Sequence, residues 1–173
     1  MAGRGVEVPF TVFVEFNDQP VELICNRVLR IIPGRRMMCF GLWNGQQVAV
    51  KFFLDPRRGG KHCLREESGS RALSAAGIKT PALLLKGLLK PDDIPVLIFR
   101  KIDPATELLA AWQRLDDDSQ RDDLLGQMIA VIADQHLAGL KQDDLDMENF
   151  VLAGSDIYTV DGGSVDTRHM GRK

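Results

Sequence analysis

Apolar and polar residues alternate through "FTVFVEF" (10–16), the pattern of a strand with one buried face. "VELICNRVLRII" (21–32) is rich in β-branched residues and reads as a second strand. Pro33-Gly34 then marks a turn. "MMCFGLW" and "QVAVKFFL" are two further strand runs, and Asn44-Gly45 between them is the strongest short hairpin signal. Residues 37–54 are therefore expected to form a hairpin entered through a tight basic turn, with "DPRRGGK" a loop after it.

The period then changes. "HCLREESGSRALSAAG" reads as a helix closed by Gly77 and followed by Pro81. "PVLIFRKI" is a short continuous apolar run, the mark of a buried strand. "DPATELLAAWQRLDDDSQRDD" is a polar connection holding a short helix. "RDDLLGQMIAVIADQHLAGL" is the clearest helix, with Leu125, Met128, Ile129, Ile132 and His136 on one stripe and Gly139 at its end. "FVLAGSDIYTVDGG" reads as two short strands around Gly154-Ser155. The order predicts an α+β fold: a strand-rich half with one helix, then a helical half with a small hairpin.

Composition narrows the classes. Of 173 residues, 45% are apolar and 27% charged, enough to bury a core. A net charge of -2 gives no pull toward nucleic acid or an anionic membrane, so no nucleic-acid partner is expected. No run of about 18 apolar residues exists to cross a bilayer, and "MAGRGVEVPF" lacks the apolar core of a signal peptide. The three cysteines, Cys25, Cys39 and Cys63, are odd in number and widely spaced. They fit no zinc pattern and argue against a disulfide framework, so they are expected to be small buried apolar groups in a reducing cytoplasm.

"LKQDDLDMENFVL" (140–152) packs Asp143, Asp144, Asp146, Glu148 and Asn149 between apolar residues. It could be a solvated turn, a divalent-metal loop or a catalytic loop. A calcium loop starting at Asp144 would need Gly at its sixth position and Glu at its twelfth, where the chain has Asn149 and Ser155. The catalytic reading needs partners elsewhere. Asp144 and Asn149 are five residues apart, the spacing of the phosphotransfer loop "HRDxxxxN". Asp161 follows twelve residues later in "YTVDGG", at a strand end before a Gly pair, the place of a metal-binding Asp. Lys51 ends "VAVK", close to the "VAIK" strand, and Glu66 lies on the next helix.

On these residues the chain resembles the protein-kinase-like superfamily over about residues 29–166. More narrowly it resembles the lipopolysaccharide core kinases (heptose and Kdo kinases), with the KEOPS-associated atypical kinases nearby. "HLAGLKQDDLDMENFVL", "YTVDGG" and "REESGSRALSAAGIKTP" carry the likeness. It implies a bilobal fold: a strand-rich lobe with one helix over residues 1–102, a helical lobe over 103–173, and ATP in the cleft. It implies Asp144 as the catalytic Asp, Asn149 and Asp161 as the Mg2+ ligands, Lys51 on the phosphates and Glu66 as its ion-pair partner, with Glu67 the alternative. The backbone of Arg100, Lys101 and Ile102 would meet the adenine, and Gly34 with Arg35 or Arg36 the phosphates. The acceptor it implies is a sugar of the lipopolysaccharide core, or else a protein, met in the cytoplasm at the inner-membrane face.

The chain also departs from the pattern. "PGRRMMCFG" replaces "GxGxxG", Asp143 puts a like charge beside Asp144, Asp146 replaces a basic residue, and "DGG" replaces "DFG". The chain ends twelve residues after Asp161, so the resemblance implies a shortened helical lobe. These departures leave room for a nucleotide-binding pseudokinase. Taken singly, Lys51 reads as a strand-end surface lysine, and Asp144 with Asn149 as a capped turn. Asp116, Asp117, Asp118, Asp122 and Asp123 read as a solvated face or helix start. His136 reads as a structural histidine bracing the loop, His62 and His169 as exposed, and Met37 and Met38 as hairpin packing. Trp43 and Trp112 fit core or rim equally.

Overall fold

Asn44 and Gly45 both take positive φ, 48° and 73°, as the tightest hairpin turn requires. They join β3 (Arg36–Trp43) to β4 (Gln46–Phe53) in register from Trp43↔Gln46 to Arg36↔Phe53. A second such turn, Asn17-Asp18, joins β1 (Phe10–Phe16) to β2 (Gln19–Ile32). Pro33-Gly34 turns β2 into β3. Arg35 N–H donates to the Ile32 carbonyl at 3.0 Å, and Gly34 has φ 66°, a value open to glycine and closed to proline's ring.

The computed structural model describes residues 6–167. They fall into two compact units, one running up to Leu64 and including Ala82–Lys101, the other made of Arg65–Pro81 and the residues from Ile102 onward.

In the first unit the strand-rich half is an antiparallel sheet closed into a barrel in the order β1-β2-β3-β4-β6-β5. The strand that closes it is β5 (Leu83–Leu89), for which "LLLKGLL" offers no alternation to read. It pairs with β6 (Ile94–Arg100) along its length and with β1 at Val14↔Leu89 and Glu15↔Leu88. The interior holds Val14, Leu23, Cys25, Cys39, Val48, Val50, Phe52, Leu85, Val96 and Ile98, all buried. Each large apolar side chain contributes about 1.5–3 kcal/mol on burial. Trp43 and Met37 pack half-buried against this core. All three cysteines are buried and none is in a disulfide, and the Cys39 thiol donates to Cys25 Sγ at 3.3 Å.

Helix α1 (Gly59–Ala75) starts earlier than its sequence pattern indicates. Asp55 is the reason. Its Oδ1 accepts the N–H groups of Arg57 and Arg58, each at 2.9 Å, and its carbonyl accepts Gly59 N–H at 2.7 Å. The Arg58 and Arg57 N–H groups hold its carboxyl below the usual carboxylate range. At the other end Gly77 N–H bonds the Ser74 carbonyl and Ile78 N–H the Leu73 carbonyl, the αL glycine stop that the sequence signals.

The second unit holds the remainder of α1, a short α2 (Leu108–Gln113), α3 (Asp118–Leu137), and two small antiparallel sheets. One sheet is ordered β10-β9-β7, from β7 (Thr106–Glu107), β9 (Phe150–Ala153) and β10 (Asp156–Thr159). The other pairs β8 (Lys141–Gln142) with β11 (Val165–Asp166). Asp117 caps α3 by accepting Ser119 N–H at 2.7 Å, and Asp118 pairs with Arg121, so that part of the acidic cluster is a helix start. Arg121 also lies 5.1 Å from the half-buried Trp112 ring.

The buried stripe of α3 is turned from the expected one. Leu124, Met128 and Gln135 are buried, while Ile129 is 64% exposed and His136 is exposed. Gln135 goes inside because Thr159 offers its amide a partner there (Nε2 to Oγ1, 3.0 Å). The buried polar side chain at this end of the helix is thus Gln135, and His136, expected to brace the loop, faces solvent. His62 is exposed, and His169 lies outside the described residues.

Closure of the barrel rests on Gly87, where a Cβ would come within 2.5 Å of Val14 Cγ1 and 2.6 Å of the Glu15 carbonyl oxygen. Gly87→Ala is expected to destabilise the chain by about 1–3 kcal/mol through forced displacement of β1. A urea unfolding midpoint equal to wild type would show that β1 and β5 do not close the barrel there.

Candidate active site

The polar loop is ordered by a ladder of side-chain-to-backbone bonds. Leu140 N–H returns to the Gln135 carbonyl as α3 ends, and β8 then pairs with β11. Asp143 N–H donates to the Ser164 carbonyl at 2.7 Å. Asp144 Oδ1 accepts Asp146 N–H at 3.1 Å, and Asp146 Oδ1 accepts Glu148 N–H at 3.0 Å, capping a single 3₁₀ turn, Met147–Asn149. These are the local bonds that make Asp a turn residue. Asn149 Nδ2 donates to the Asp144 carbonyl at 3.3 Å, and Gln142 Nε2 donates to the same oxygen at 3.0 Å.

The five polar groups therefore separate by what they touch. Asp143 lies 3.1 Å from Arg65 and 3.6 Å from Lys141, so its negative charge beside Asp144 is met by two cations. Asp146 is a cap, and Glu148 is exposed. Oδ2 of Asp144 and Oδ1 of Asn149 accept no hydrogen bond from the described residues, and neither does Oδ2 of the capping Asp146. The Asp144 oxygen is a carboxylate oxygen able to take a proton, and the Asn149 oxygen is a hard neutral donor.

Asp161 is tied to this loop through its neighbour, since Val160 N–H donates to the Asn149 carbonyl at 2.9 Å. Its Oδ1 accepts Gly163 N–H at 3.1 Å and its Oδ2 accepts the Ser164 hydroxyl at 2.7 Å. Thr159 anchors the approach. It donates its N–H to the Lys79 carbonyl at 2.9 Å, and its carbonyl accepts the Thr80 hydroxyl at 2.8 Å. That bond gives the "TP" after α1 a physical role.

Glu66 takes a role that the sequence did not disclose. Its carboxylate is 1% exposed and holds the backbone of the Gly pair: Oε1 accepts Gly162 N–H at 3.1 Å and Oε2 accepts Gly163 N–H at 3.0 Å. Glu67, its alternative, pairs at the surface with Arg71 at 3.1 Å. The backbone of α1 lies directly on Gly162. A Cβ on Gly162 would stand 2.6 Å from both Ser70 N and the Glu66 carbonyl oxygen, and a Cβ on Gly69 would collide with the Gly162 carbonyl oxygen. "DGG" in place of "DFG" is thus a steric requirement of this helix. The available signal was Gly69, an isolated glycine in the middle of a helical pattern.

In the barrel, Lys51 is buried on β4, in register with Met38 and Leu97, its Nζ 5.6 Å from the Phe99 ring centroid. Gly34 and Arg35 form the exposed tip of the β2–β3 turn. Arg100 N–H donates to the Ala82 carbonyl at 2.8 Å and Lys101 N–H to the Gln47 carbonyl at 3.2 Å. The Lys101 ammonium bonds Gln47 Oε1 at 2.8 Å and sits 4.9 Å from the Phe40 ring centroid. Ile102 N–H has no backbone acceptor among the described residues. No group of three His, Cys, Asp or Glu side chains among the described residues could hold a metal by itself.

No protein-family profile matches the chain, and no curated protein matches it. Its structure is similar to the crystal structure of the M. tuberculosis PknI kinase domain, with a TM-score of 0.53 and 18% sequence identity over 82% of this chain. The chain spans 58% of the length of that domain. The fold is protein-kinase-like, a small barrel-like sheet with mixed helix and strand content.

Gly69→Ala is expected to destabilise the chain by about 1–3 kcal/mol, since the contact is backbone on backbone. Gly126→Ala on α3, with nothing within 4 Å of its would-be Cβ, is expected to stabilise it by about 0.5–1 kcal/mol. Thermal denaturation reads both, and a stabilising Gly69→Ala would remove the proposed packing of α1 on Gly162.

Proposed function

We propose that this chain is an ATP-dependent phosphotransferase acting on a hydroxyl. The observation that carries the reading is the single Asp144 carbonyl tied to the Asn149 amide, which leaves Asp144 Oδ2 and Asn149 Oδ1 without donors among the described residues. Asp161 follows directly on the residue bonded to Asn149. The kinase-like fold supports the same chemistry. Asp144 orients the acceptor hydroxyl and accepts its proton. Lys51 meets the nucleotide phosphates, with Gly34 and Arg35 beside them. Ile102, whose N–H is the uncommitted donor, meets the adenine, flanked by Arg100 and Lys101.

Magnesium fits the donor set. Asn149 Oδ1 and the Asp161 carboxylate are oxygen ligands, and a two-ligand protein site is ordinary for an ion that completes its shell with phosphates and waters. When bound it would neutralise charge on the transferring phosphoryl group. The rest of the catalysis is positioning by this chain's own residues.

The acceptor we favour is a sugar of the lipopolysaccharide core, on the likeness of "REESGSRALSAAGIKTP" and the catalytic loop to that kinase branch. The chain would then work in the cytoplasm with peripheral contact to the inner membrane. No helix among the described residues is long and apolar enough to cross a membrane. Similarity to the PknI kinase domain favours a second reading, a protein hydroxyl as acceptor, as in the KEOPS-associated kinases. ADP release measured with core oligosaccharide and with protein acceptors separates the two.

Four outcomes test the reading. Lys51→Ala is expected to abolish productive ATP use, and wild-type turnover in that variant would sink the assignment. Magnesium is expected to raise the melting temperature with ATP present and to do little alone, whereas strong stabilisation by calcium without nucleotide would point to a calcium loop. Asp144→Asn is expected to lower turnover by about a hundredfold or more while ATP still binds. Glu148→Gln is expected to stay within a few-fold of wild type, and equal damage from the two would show that the loop has another working residue.

A further inference from the structure

The reading above leaves Gln142 without a role. It sits on β8 opposite Val165, it is buried, and its Nε2 donates to the Asp144 carbonyl at 3.0 Å. The orientation of this amide is fixed by chemistry: turned over, its Oε1 would face the Asp144 carbonyl oxygen, acceptor against acceptor. In the orientation present, Oε1 is buried with no hydrogen-bond partner among the described residues. A methionine or leucine there would fill similar space without an orphaned carbonyl. The chain keeps the amide, and what the amide gains is its N–H on Asp144.

That carbonyl is shared. Asn149 Nδ2 donates to it as well, at 3.3 Å, and this bond turns the Asn149 Oδ1 away from the Asp144 peptide. Two amides thus converge on one oxygen, and the position of that oxygen sets both the Asp144 peptide and the facing of the Asn149 side chain. We propose that Gln142 is a positioning residue: by fixing the Asp144 carbonyl it pre-sets the Asn149 amide for magnesium. The proposal rests on the phosphotransferase reading, and it adds a residue that touches neither nucleotide nor acceptor.

The test is ATP affinity measured by calorimetry with and without magnesium, on the full chain. Wild type is expected to bind ATP more tightly with magnesium. Gln142→Met is expected to lose about tenfold of that gain, the usual cost of removing a partner behind a metal ligand. Its metal-free ATP affinity and melting temperature should match wild type, which a merely structural role would not allow. Asn149→Ala should lose the gain outright. A full gain in Gln142→Met alongside a lost gain in Asn149→Ala overturns the proposal and leaves the reading of the site standing. A full gain in Asn149→Ala, or none in wild type, overturns that reading and this proposal with it. Should Gln142→Met fail to fold, Gln142→His and Gln142→Glu pose the same question. The ring N–H of His reaches about as far and should keep the gain, while Glu should lose it. Equal gains in those two overturn the role of N–H donation.

Discussion

A buried carboxylate with two backbone N–H groups on it is the fixed point of the second unit. Glu66 is shut off from water, and an ion so placed must find donors within the protein or lose its charge. Gly162 and Gly163 supply them from 96 and 97 residues away. For those N–H groups to arrive, two backbones must touch, and both chains give up a side chain at the crossing, one at Gly69 and the other at Gly162. Four positions far apart in sequence are thereby one constraint. Asp161, next in the chain, inherits its place from it.

The loop before it is held by a different economy. Asp143, Asp144 and Asp146 each commit a group to a neighbour's backbone or to a cation. Exposed pairs such as Arg65 with Asp143 contribute little energy singly. Their value here is to keep a like charge from pressing on Asp144.

Much of this was legible. Asn44-Gly45, Gly77, Gly139 and Gly154 each mark a place where backbone conformation is dictated by a single residue, and such signals are local. The spacing of Asp144 and Asn149 is local too, since the turn that Asp144 closes on Asp146 and the 3₁₀ turn Met147–Asn149 fill it. What was hidden depends on distant partners. Closure of the barrel needs only two residue pairs between β1 and β5, and nothing in either strand announces the other. Gln135 in preference to His136 was decided by Thr159, a residue that the helix pattern does not include. Glu66 was marked by its place on the helix, but its hold on the Gly pair required knowing where residue 162 would come to rest.

The same two residue pairs have a consequence for the life of the molecule outside any active site. A strand left open along its side offers a row of free N–H and C=O groups on which another chain can stack, the usual start of edge-to-edge aggregation. By returning β1 onto β5 the first unit joins the two margins of its sheet at Val14 and Glu15. Its longest strand, β2, pairs with β1 over Gln19–Cys25 and with β3 over Ile24–Ile32, so two neighbours flank it only at Ile24 and Cys25. The stretch Arg27–Ile32, paired with β3 alone, is the edge that closure leaves bare, and it is there that the unit must rely on its side chains to keep other strands away.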